Sequence, residues 1–100
     1  MTPPGNYQRG LRYEKRSRAW LEEIGYFVLE SRGSHGAVDL VAVSEERILL
    51  VQVKSGRRLS LAEHRACLET LRAIPLPPNG RRQLMTWTRW ARVPSVEEVR

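Results

Sequence analysis

The chain has 100 residues, enough for one domain around a single core, and a hydrophobic content of 41% excludes a disordered polypeptide. No apolar run reaches membrane-spanning length, and no basic-then-apolar leader opens the sequence, which points to a cytosolic (cytoplasmic) protein with no membrane partner. Net charge is +6 with a pI near 10.4, and 15 of the 17 cations are Arg, whose planar fork suits phosphate; the surface therefore expects a polyanion.

Residues 1 to 9, with Pro3, Pro4, Gly5 and Asn6, form an expected flexible arm, and a single domain is expected over 10 to 100. Leu11 to Ile24 has a helical period, with Gly25 as its stop. At about 100° per residue, Leu11, Tyr13, Ser17, Trp20, Leu21 and Ile24 share one arc. Glu14 falls inside that arc, where a carboxylate must find a partner or a metal, because an unpaired buried charge is expensive. Tyr26 to Ser31 reads as a short strand, followed by a polar loop from Arg32 to Gly36.

The next stretch organises the chain. Val38-Asp39-Leu40-Val41-Ala42-Val43 and Ile48-Leu49-Leu50-Val51-Gln52-Val53-Lys54 are β-rich runs around a four-residue polar connection, a hairpin signal. A turn centred between Glu45 and Glu46 sets Val43 against Ile48, Val41 against Leu50 and Asp39 against Gln52. Opposed side chains lie about 5 Å apart, and Lys54 projects from the face of Gln52 roughly 7 Å further on. A carboxylate, an amide and an ammonium group thus converge at the open end of an apolar ribbon. That trio suits phosphodiester hydrolysis. Asp39 and the Gln52 carbonyl oxygen can hold a hard divalent cation, and Lys54 can orient water or stabilise charge on phosphate. Glu14 is the candidate third ligand, and Ser34 and His35 in the glycine-flanked loop offer groups to a phosphate.

Beyond the basic turn Gly56-Arg57-Arg58, Ser60 and Glu63 form a capping box for a helix running to about Ile74, with Leu61, Cys67, Leu68, Leu71 and Ile74 as its buried stripe. Cys67 is the sole cysteine, so no internal disulfide exists, and its apolar setting marks a packed thiol. A Pro-rich break precedes a strand over Arg82 to Trp90, and Ser95 with Glu98 suggests a last helical turn. The order helix, strand, strand, strand, helix, strand predicts a mixed α/β domain, a central sheet flanked by helices.

These residues resemble the PD-(D/E)XK nuclease superfamily, and within it the archaeal-type Holliday junction resolvases (Hjc-like), over roughly residues 9 to 90. The likeness rests on Gly10 and Glu14 in the first helix, Ser31-Arg32-Gly33-Ser34, Val38-Asp39-Leu40-Val41-Ala42 and Val51-Gln52-Val53-Lys54-Ser55. It implies a restriction-endonuclease-like αβββαβ core and Mg²⁺ as cofactor, with Mn²⁺ able to substitute and no organic cofactor. It also implies roles: Glu14 as first-helix acid, Asp39 as central ligand, Lys54 as catalytic lysine and Ser34 as the serine near the scissile phosphate. Gln52 departs from the usual Glu, which removes one charge from the site, though a restriction-type branch carries Gln-x-Lys there. Arg9, Arg12, Lys15, Arg32, His35, Arg57 and Arg58 are the expected DNA contacts. The expected activity is paired symmetric nicking of four-way junctions by a homodimer, since two equivalent cuts call for two sites about a two-fold axis. Trp87, Trp90 and Val93 are the expected dimer patch. Other readings are a flap-cutting or restriction-type nuclease and a catalytically inactive DNA-binding module.

Overall fold

The computed structural model describes residues 6–31, 36–56 and 59–100. Helix α1 (Asn6–Glu23) is followed by β1 (Phe27–Glu30), β2 (Leu40–Val43), β3 (Ile48–Gly56), α2 (Leu61–Arg72), β4 (Gly80–Thr88) and β5 (Ser95–Val99). The strands make one sheet in sequential order, antiparallel except for the parallel β3–β4 pair, across which α2 makes the crossover.

Helix α1 stops where the glycine predicts. Gly25 has φ +106°, its N–H bonds Glu22 O, and the Tyr26 N–H reaches back to Leu21 O, the paired bonds of a Schellman cap. The helix opens at Asn6, earlier than the apolar period indicates, so its first turn overlaps the expected arm. The sequence of that turn, Asn6-Tyr7-Gln8-Arg9, carries no apolar period to read. At α2 the Ser60–Glu63 capping box is present in full.

Strand alternation sorts the side chains onto two faces. Val28, Ala42, Leu49, Val51, Val53, Met85 and Trp87 pack under α1 with Leu21, Tyr13 and Trp20. On the other face Leu84 and Val99 pack under Cys67 and Leu71 of α2. Ser17 holds the first layer together at its centre. Its hydroxyl donates to Tyr13 O (2.7 Å) and accepts from the Trp87 indole N–H (2.6 Å). Because α2 packs on β4 and β5, Phe27 and Leu29 of the edge strand β1 remain exposed.

Three expectations need correction. Residues 95–99 form a strand, not a helical turn, because β4 would otherwise leave its ladder groups unpaired; Val96 and Val99 sit opposite Met85 and Arg82. Leu61 is 80% exposed, since it occupies the first turn of α2, beyond the part that meets the sheet. Trp87 is 2% exposed and lies in the core, so the expected dimer patch loses its central ring and only Trp90 and Val93 remain on the surface. Among the described residues, no helix is long and apolar enough to cross a membrane.

Candidate active site

The hairpin has the register that its turn dictates: Val43 pairs with Ile48, Val41 with Leu50 and Leu40 with Val51. Asp39, expected opposite Gln52, is not paired with it: it lies one step beyond the last pair, where the ladder fails and its backbone bonds Val51 and Ser31 instead. Its N–H donates to Val51 O (2.8 Å) on β3, while its C=O accepts from Ser31 N–H (2.9 Å) beside β1. A residue inside an antiparallel ladder turns both groups to the same neighbour. Asp39 turns them to opposite neighbours, a local break of the kind that re-aims a side chain at a strand end. Its carboxylate consequently swings into the plane of the sheet, and Oδ2 takes the N–H of Val53 at 2.8 Å. A side-chain oxygen thus replaces the missing strand as acceptor for β3.

Two groups approach this carboxylate from opposite faces. From the α1 side, Glu14 comes close enough to Asp39 for the two carboxyls to act on each other. From the other side come Gln52 and Lys54, which alternate with the core residues Val51 and Val53 and so share the face opposite α1. Lys54 lies close enough for its charge to act on Asp39.

The electrostatics follow from this crowding. Burial, then the Asp39 charge, then the shared hydrogen bond, with Glu30 adding repulsion, push Glu14 from 4.5 up to about 7. Burial also raises Asp39, opposed by the Val53 N–H, the Lys54 charge and the bond to Glu14. Both carboxyls are therefore harder to ionise than a free carboxylate, because each sits partly out of water beside the other. Glu30, a residue that the sequence reading passed over, is held by Arg18 at 3.6 Å. The period of β1, which puts Glu30 on the face of Val28, was the available signal.

Gln52 is the diagnostic residue. Its Oε1 is buried and has no hydrogen-bond partner. A buried acceptor without a partner is a poor arrangement for a metal-free protein, and an amide oxygen is a group that a hard cation can take as a ligand. Among the described residues, no group of three or more His, Cys, Asp or Glu could hold a metal.

Of the remaining expected residues, Arg12 and Lys15 stand exposed on α1 next to Glu14 in sequence, and Arg9 lies in its first turn. Arg32, Ser34, His35, Arg57 and Arg58 lie outside the described residues. Cys67 is buried and its thiol is pushed up by that burial, which fits a packing role. A surface depression of about 400 Å³ lies at the opposite end of the sheet, lined by Arg81, Arg82, Glu98 and Arg100. Two of its arginines are engaged, Arg81 with Glu98 (3.2 Å) and Arg82 with Ile74 O (2.9 Å), and it is remote from Asp39.

A mixed sheet with a helix on each face is the expected α/β core. The arrangement is similar to that of Archaeoglobus fulgidus Hjc, a Holliday junction resolvase from an archaeal hyperthermophile, with a TM-score of 0.66 over 90% of this chain and 70% of that one, at 19% identity. That likeness establishes the fold. No family model matches the chain, and no curated protein matches it in sequence.

Proposed function

We propose that the protein is a Mg²⁺-dependent, structure-selective DNA endonuclease that nicks four-way junctions in symmetric pairs as a homodimer. The observation that carries this reading is the crowding of Glu14 against Asp39 at the open end of the hairpin, with a buried, partnerless Oε1 on Gln52 of the adjoining strand. The resolvase activity of the archaeal protein that shares the fold supports the choice of substrate.

Asp39, Gln52 and Glu14 are the residues that would hold the ion. When bound, it supplies Lewis acidity that neutralises phosphate charge and acidifies water. The chain's own groups do the rest. The Val53 N–H fixes the Asp39 carboxylate in place. Glu14 releases its proton and turns an anionic oxygen toward the site. Lys54 holds its ammonium on the same rim, where it orients water and stabilises developing phosphate charge. Arg12 and Lys15 flank the first acid as phosphate contacts that position DNA without reading bases.

The test is cleavage of four-way junction, flap, linear duplex and single-stranded DNA, with and without Mg²⁺. Paired nicks confined to junctions and dependent on Mg²⁺ are expected, together with a dimer mass in solution. Equal cutting of linear duplex overturns the junction assignment in favour of another nuclease of the same fold. The replacement of an anion by Gln52 favours one second reading, an inactive DNA-binding module. Junction binding without cutting in either Mg²⁺ or Mn²⁺ establishes that one instead.

A further inference from the structure

The connection between β4 and β5, Arg89-Trp90-Ala91-Arg92-Val93-Pro94, has features that the core does not explain. Trp90 is 85% exposed, and it is the one non-glycine among the described residues with positive φ, at 71°. A bulky residue in that region is an outlier, and such strain collects at ligand clamps. The surroundings hold it there. The Ala91 N–H closes a turn onto Thr88 O at 3.1 Å, and Arg16 of α1 donates to Ala91 O at 2.8 Å while its guanidinium lies 4.3 Å from the Trp87 ring centre. Arg16 follows Glu14 by two residues, so the helix that brings the acid also anchors this loop. The Arg89 guanidinium sits 5.1 Å from the centre of the Trp90 ring, while most of the residue stays in solvent.

The loop is at the site's end of the sheet. Lys54 pairs with Thr86 and Gly56 with Thr88, so the turn begins one step past the end of β3. At about 3.3 Å per strand residue, Trp90 lies on the order of 10–15 Å from Lys54. That is three or four nucleotide steps of a stacked strand at about 3.4 Å each.

We propose that Trp90 is the residue that recognises branched DNA, by stacking its open ring face on an unstacked base at the branch point while Arg89 and Arg92 take the adjoining phosphates. This rests on the nuclease reading above and supplies what that reading lacks, a reason for preferring junctions. In continuous duplex a wedge must first unstack a base step, which costs a few kcal/mol. At a branch the stack is already interrupted, so the same ring gains stacking without that penalty. Cations alone do not discriminate, because phosphates are present in every duplex.

The experiment measures binding without cutting, in EDTA, of a four-way junction and of linear duplex of matching sequence, to wild type, Trp90→Ala and Trp90→Phe. The junction carries 2-aminopurine at the branch. Trp90→Ala is expected to weaken junction binding about 5- to 150-fold, to leave duplex binding within about 2-fold (phosphate contacts being intact), and to abolish the quenching of 2-aminopurine seen with wild type. Trp90→Phe keeps a stacking ring and restores most of the affinity. Since Trp90 is exposed, all three proteins are expected to melt alike. Unchanged junction affinity, equal loss on junction and duplex, or a change in particle mass with affinity intact each overturns the proposal alone; the last makes Trp90 a contact between protein copies. If wild type binds neither DNA, the proposal falls together with the nuclease reading.

Discussion

Replacing Gln52 by methionine tests the site without any substrate. Met is close to Gln in length and volume but carries no amide oxygen. Oε1 of Gln52 is buried without a partner, and a buried acceptor left unsatisfied costs about 1–3 kcal/mol. Gln52→Met is therefore expected to stabilise the metal-free protein by about that amount. For a chain of 100 residues, each kcal/mol moves the melting midpoint by roughly 4–8 °C. Mg²⁺ should act in the opposite sense: wild type gains stability in proportion to the logarithm of ion concentration above Kd, and the variant gains little. Melting followed by circular dichroism, in EDTA and in excess Mg²⁺, reads both effects. Gln52→Glu provides the contrast, since a third carboxylate beside Glu14 and Asp39 should lower the midpoint in EDTA and enlarge the Mg²⁺ gain. A Met variant that melts at or below wild type in EDTA refutes the orphaned acceptor. One that retains the full Mg²⁺ gain removes Gln52 from the ligand set.

Lys54→Ala is expected to slow junction cleavage by about 10²–10⁴-fold with little change in junction binding, as a gel assay beside a binding titration would reveal. Mg²⁺ affinity should rise from pH 6 to 8 and then level, because Glu14, with a pKa of about 7, must lose its proton before its oxygen can serve as a ligand; an affinity flat across that range excludes Glu14. The same raised pKa predicts that the metal-free fold loses stability as pH climbs from the unfolded value of 4.5 through 7, since the native state binds the extra proton in that window, and urea titrations in EDTA would register the fall. Ser17→Ala strands the buried Trp87 N–H and should destabilise by about 1–3 kcal/mol. Combining it with Trp87→Phe should recover part of that loss in a double-mutant cycle.

The parts of the fold that were legible before any coordinates share a cause: each is fixed by interactions between near neighbours in sequence. The hairpin register follows from the Ser44–Arg47 connection, the start of α2 from Ser60 and Glu63, and the end of α1 from Gly25. Glu14 stood out because a carboxylate interrupted an apolar arc, and the structure gives it a partner in Asp39. What was misread depends on long-range competition. Ser95 to Val99 has a local cap and no room for a helix, and the free edge of β4 decides the matter. Leu61 fits the helical stripe by angle, yet only the tilt of α2 over the sheet determines which turn of that stripe meets β4 and β5. Trp87 and Trp90 are near neighbours at the end of one strand. One is buried under Ser17 and the other is turned outward by a left-handed backbone that no propensity announces.

The break at Asp39 explains why the acidic cluster sits where it does. Had β2 continued in register, Val53 would have bonded a backbone carbonyl and Asp39 would have projected from one face, within reach of either Glu14 or Gln52 but not both. Because the ladder stops at Leu40, the carboxylate lies in the plane of the sheet, and the two faces meet at its edge. The helix delivers one acid from above, and the strand delivers an amide and an ammonium from below. Local regularity is lost over a single residue, and the Val53 N–H still finds an acceptor, so the fold keeps its hydrogen bond. The unsatisfied remainder lies on Gln52 Oε1, which has no partner, and on the Glu14 carboxyl, which burial and the Asp39 charge make harder to ionise.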